Sequence, residues 1–112
     1  MKAESILRNG GSNAETTSLA NAIRRRAFGG NISKLFASVT LDNIYKERSF
    51  EFAWEGLSRQ DQIRFGTFLD AIPQFKPYIS DPKYLIYPIP QYALDANDQL
   101  VQNPGYYFFL KH

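Results

Sequence analysis

The chain has 112 residues with 13 basic and 11 acidic side chains, 44% hydrophobic residues and no cysteine. That length suits one domain at most, and the composition is that of a folded protein and not of a disordered tail. The small positive excess speaks against a nucleic-acid or anionic-membrane partner, and the lack of cysteine removes disulfides, thiolate metal sites and cysteine nucleophiles.

Residues 2 to 9 are predicted to be helical, with Ala3, Ile6 and Leu7 on one side and Asn9-Gly10-Gly11 as the stop. Glu4 and Arg8 interrupt this stretch, so it is no signal core, and the chain has no apolar run of about 18 residues to span a membrane. Ser12 or Asn13 should cap a second helix reaching about Ala27, with Ala14, Leu19, Ala20, Ile23 and Ala27 inward and Gly29-Gly30 beyond. Two short helices joined by a tight turn make a helix hairpin of tetratricopeptide-like type. The one dense basic run, Arg24-Arg25-Arg26, turns about 100° per residue on a helix, so it forms no phosphate-gripping stripe.

After a loop at 29 to 39, Thr40 should cap a third helix from Leu41 to about Glu55, with Ile44, Tyr45, Phe52 and Ala53 inward. Ser58 with Asp61 reads as a capping-box variant opening a fourth helix to about Phe65, and a short continuation carries Phe68, Leu69 and Ile72. All six prolines fall at or after Pro73, so residues 73 to 112 are expected to be extended, wrapping over the helices with Tyr and Phe rings as pegs. The expected class is therefore mainly α, helix hairpins followed by a proline- and aromatic-rich irregular C-terminal segment, with parts at 1–28, 40–72 and 73–112.

Glu47, Glu51 and Glu55 lie at successive i,i+4 spacing, which on a helix stacks three carboxylates on one face. Such a face can serve glycoside hydrolysis or hold a metal ion. The reading favoured here is a structural ion-pair seam, with Arg48 of the same helix and Arg59, Asp61 and Arg64 of the next. Trp54, in the aromatic stretch Phe50 to Trp54, could be a platform for a sugar ring but is expected in the core. Tyr106 to Leu110 could be a partner-binding strand or a docked end. The sole histidine, His112, is the last residue, and no G-x-S-x-G, H-E-x-x-H or phosphate loop occurs, so neither catalytic residues nor a cofactor nor a metal is expected.

Four stretches in order then resemble one family. Met1-Lys2-Ala3-Glu4 through Asn21-Ala22-Ile23-Arg24-Arg25-Arg26-Ala27 resembles the last helix pair of SusD/RagB proteins. Thr40 to Arg48 with Phe50-Glu51-Phe52-Ala53-Trp54-Glu55-Gly56 is similar to their E-R-x-x-E-[FL]-A-[FW]-E-G signature. Arg59 and Asp61-Gln62-Ile63-Arg64-Phe65-Gly66 follow it, and Pro88-Ile89-Pro90 and Asn97 to Tyr106 resemble the family's closing segment.

The resemblance implies the C-terminal portion of a non-enzymatic, mainly helical lipoprotein on the outer-membrane surface. Such a protein binds oligosaccharides over a SusC-like TonB-dependent transporter. This chain would be scaffold and not the sugar-contacting part, so no ligand-binding residue is assigned. Met1 matches an internal family position, so the lipid anchor is expected on the full-length parent, and the face of helix 2 to 9 is expected to support self-association. Residues Tyr107 to His112 run past the usual family end. The competing reading is a free-standing helical adaptor for a peptide or protein; a glycosidase built on Glu51 and Glu55 ranks third.

Overall fold

The structure, a computed structural model, describes residues 1–106. The chain is mainly helical: among the described residues are five α-helices, two short 3-10 turns and no β-strand. The helices are α1 (Lys2–Arg8), α2 (Asn13–Ala27), α3 (Leu41–Glu51), α4 (Ser58–Arg64) and α5 (Gln91–Ala96). None is long and apolar enough to cross a membrane. The chain divides into two compact units, Met1–Asp61 and Gln62–His112.

Local chemistry sets most helix ends of the first unit. Gly10, at φ 69°, lets the chain reverse after α1, while the Gly11 N–H donates to the Ile6 carbonyl at 2.8 Å. A Cβ on Gly11 would sit 2.8 Å from Ile6 Cγ2 and 3.0 Å from its carbonyl oxygen, so a larger residue would force this turn to shift. Ser12 caps α2 by accepting from the Glu15 N–H, and Thr40 with Asn43 forms a reciprocal capping box at the start of α3. Helix α2 packs on α1, and α3 also contacts α1.

The inward face of α2 differs from the expected one. Thr16, Thr17 and Ala20 are buried, Leu19 is half-buried, while Ala14, Ile23 and Ala27 are exposed. The reason is the loop that follows. Its chain makes no strand, so its backbone polar groups need partners, and α2 supplies them from a polar stripe at i, i+4 and i+8.

Asn13 Nδ2 donates to the Val39 carbonyl at 2.8 Å, and the Thr17 hydroxyl accepts from the Val39 N–H. Asn21 binds Phe36 twice, donating to its carbonyl at 2.9 Å and accepting from its N–H at 2.8 Å. Val39, held this way, is one of the most deeply buried side chains, and with Ala20 and Ile44 it makes the apolar centre of the unit.

Two further expectations are corrected. Helix α3 ends at Glu51 and not Glu55, leaving Tyr45 and Phe52 half-buried and Ala53 exposed. Ser58 is the first helical residue of α4 and not the one preceding it, and the Asp61 carboxylate is taken by Arg48. The continuation at 66–72 is not helical but a series of turns closed by a single bridge between Ile72 and Lys76.

The second unit is less regular, yet it contains α5, which proline counting passes over. Its backbone closure is polar. Pro88 and Pro90 have no N–H, leaving Ile89 the one donor between them. Gln102 accepts from that N–H at 2.8 Å and donates to the Ile89 carbonyl at 2.9 Å. Asn103 Nδ2 donates to the Tyr87 carbonyl, and the Tyr106 hydroxyl lies 3.1 and 2.9 Å from the Lys83 and Ile86 carbonyls. Leu94 of α5 is its buried apolar residue, while the rings of Phe75, Tyr78, Tyr84, Tyr87 and Tyr92 are exposed. Tyr107 to Leu110 and His112 lie outside the described residues.

Candidate functional site: the charged face of α3 and the cleft at its end

The residues singled out for charge gather on and around α3. Glu47 receives Nη1 of Arg24, with both side chains largely out of water. The same guanidinium donates through Nε to the Lys34 carbonyl and stacks over the rings of Phe36 and Phe28, at 4.3 and 5.0 Å. Glu51 receives Nη2 of Arg26 on both oxygens, at 2.6 and 2.8 Å, in a much more exposed pair. The cations on Glu47 and Glu51 thus come from α2, out of the triple-arginine run. The spacing argument looked instead to Arg48, Arg59 and Arg64. Arg25, between them, points to solvent.

Arg48 faces the other way, toward α4. Its Nε donates to Asp61 Oδ2 at 2.8 Å and its Nη2 to Oδ1 at 3.0 Å, a two-point contact with both residues buried. The Phe52 ring lies 4.9 Å from the guanidinium carbon, and the Met1 sulfur lies 3.3 Å from Nη1. Arg64 stacks on the Phe65 ring.

Glu55 is exposed and lies past the end of α3, so the register that would stack it on Glu51 is broken at Phe52. Among the described residues no three His, Cys, Asp or Glu side chains converge as a metal site would require. Glu4, which sequence reading treated only as an interruption, is buried on α1 and accepts from Arg8 Nε at 2.9 Å.

The chain beyond α3 turns abruptly. Trp54 takes φ 69°, and its side chain is fully exposed instead of buried in the core. For a bulky residue this left-handed backbone is strained by about 1–2 kcal/mol. Because α3 stops three residues earlier, Trp54 lies in the turn beyond the helix and not on one of its faces. It stands at the edge of a cleft of about 380 Å³ lined by Tyr45, Ser49, Phe52, Leu57, Ser58 and the Arg48–Asp61 pair.

Comparison with known proteins bears on this arrangement. The family model described as the SusD family matches residues 1–106, which takes in α3, α4 and the Gln102–Ile89 closure. The chain is also similar to the starch-binding protein SusD of Bacteroides thetaiotaomicron, with 32% identity over 117 aligned residues and 94% of the chain covered. The chain spans 19% of that protein's length.

Proposed function

The chain belongs to the SusD family, and from that premise we propose that it is the C-terminal scaffold of a non-enzymatic glycan-binding protein at the outer-membrane surface. The supporting observation is the engagement of Glu47 and Glu51 by Arg24 and Arg26. A glycosidase needs one carboxyl group free to give a proton and a second free to attack or to activate water. Of Glu47, Glu51 and Glu55, the first two hold α3 to α2, and Glu55 lies past the end of the helix. A face used in this way orders the fold.

On this reading the protein of which the chain is part captures oligosaccharides for a SusC-like TonB-dependent transporter and is held at the cell surface by a lipid anchor. The buried Arg48–Asp61 contact ties α3 to α4 within that scaffold.

The test is calorimetric titration of the protein as the cell makes it with maltohexaose, xylohexaose and mannohexaose, in wild-type, Glu51→Gln and Arg26→Gln forms. Melting curves and an assay for new reducing ends accompany each titration. Saturable binding to one of the three, no cleavage, and affinities unaltered by either substitution are expected. Cleavage abolished in Glu51→Gln would replace this reading with a hydrolase. Affinity lost at an unchanged melting temperature would put Glu51 in the sugar site and end the scaffold assignment.

A further inference from the structure

The cleft at the end of α3 lies outside the ion pairs that support the scaffold role. Its aromatic surface comes from Tyr45, Phe52 and Trp54, and hydroxyls come from Ser49 and Ser58. Its two charged residues, Arg48 and Asp61, are bound to one another. The lining therefore offers rings and hydroxyls with no net charge to select an anion or a cation. Its lining mixes those rings with polar groups that a wholly apolar ligand would leave unmatched.

Trp54 adds an independent observation. It is the one non-glycine residue described with positive φ, and its ring is fully exposed, so core burial does not offset the strain. Backbone strain that the fold does not use for packing concentrates at ligand sites.

We propose that this cleft is an auxiliary sugar-stacking site. The indole of Trp54 takes the apolar C–H face of a pyranose ring, while the Ser58 hydroxyl, and the Ser49 oxygen as an acceptor since its proton goes to the Tyr45 carbonyl, meet the hydroxyls at its rim. A neutral, polyhydroxylated ring with one apolar face matches each element of the lining. The inference rests on the glycan-binding reading above and adds to it a contact that the scaffold role does not include.

Trp54 is the sole tryptophan of the 112-residue chain, so the fluorescence that differs between the cell-made protein and its Trp54→Phe form reports this cleft. Maltohexaose, xylohexaose and mannohexaose are titrated into the cell-made protein and its Trp54→Phe form, with sorbitol, which has the hydroxyls but no ring face, as the control. A saturable blue shift with protection from acrylamide quenching is expected for at least one hexasaccharide and not for sorbitol.

In the protein as the cell makes it, Trp54→Gly should weaken binding at this site about tenfold, or remove one equivalent in calorimetry. Its melting temperature should be unchanged or a few degrees higher, since glycine accepts positive φ. If the cell-made protein binds a hexasaccharide but Trp54 gives no response and Trp54→Gly binds as wild type, the auxiliary site is wrong and the glycan-binding reading stands. If neither form binds any of the three, the parent reading fails and this site with it. A fall of several degrees in the Trp54→Gly melting temperature would show the indole to be a packing residue and overturn the proposal.

Discussion

Arg48 and Asp61 join α3 to α4 through two parallel hydrogen bonds, with the two side chains only 10% and 7% exposed. The pair is two-pointed and nearly dry, and the Phe52 ring lies 4.9 Å from the guanidinium carbon. These conditions make the loss of either partner alone costly, unlike the loss of an exposed pair.

Removing one partner leaves the other charge buried and unmatched, which costs about 3–5 kcal/mol. Asp61→Ala should therefore unfold at markedly lower urea, and Arg48→Lys should not rescue the fold, because an ammonium cannot span both oxygens. The double replacement Arg48→Met with Asp61→Leu should lie much closer to wild type than either single loss. Urea midpoints for the set decide the matter; a mild Asp61→Ala would show that the pair is far wetter than its geometry indicates.

The two arginine contacts of α2 should differ in weight. Arg26 and Glu51 are 68% and 35% exposed, so Arg26→Ala should cost about 0–1 kcal/mol, and less again at high salt. Arg24 is 17% exposed, binds Glu47 and the Lys34 carbonyl, and stacks on two rings; its loss should cost about 2 kcal/mol and persist in salt. Melting curves at low and high ionic strength would separate the two.

Asn21 holds both backbone groups of Phe36. Asn21→Ala should cost about 1–3 kcal/mol and expose the Phe36 amide to rapid hydrogen exchange. Asn21→Asp keeps the acceptor but sets a carboxylate against the Phe36 carbonyl, so it should be nearly as damaging. An unchanged exchange rate at Phe36 would mean that the loop is held by other contacts.

Thr40 accepts from the Asn43 N–H, and Asn43 answers to the Thr40 N–H. Thr40→Ala should cost about 1 kcal/mol while Thr40→Ser stays near wild type. A melting temperature indifferent to both would remove the capping box from the determinants of α3.

Features that depend on neighbouring residues were readable from the sequence: the Ser12 and Thr40 caps, the glycine stops after α1 and α2, and the mainly helical class. The end of α3 was not. No glycine or proline precedes Gly56, and the acidic spacing of Glu47, Glu51 and Glu55 suggests that the helix continues. Trp54 was expected in the core for its size and its place beside a helix end, and neither foretells the left-handed turn that exposes it.

Helix α5 had its own signal in Pro90 at the entry and Asn97 at the exit, but the density of prolines outweighed it. The partners of Glu47 and Glu51 lie more than twenty residues away on α2, and spacing along one helix carries no information about them. The stripe Asn13, Thr17, Asn21 could have been found, since three polar residues at four-residue intervals mark a helical face that serves backbone as well as solvent.

Asn21 at Phe36 and Gln102 at Ile89 share one device: a side-chain amide stands where a neighbouring strand would be. An extended segment satisfied by a strand passes its need along, because that strand presents its own outer row of donors and acceptors to whatever comes next. An amide has one donor face and one acceptor face and ends the series there. Both segments are thus kept straight without creating a template on which another chain could add, which matters for a protein whose regular structure is helical and whose irregular part is rich in exposed tyrosine and phenylalanine.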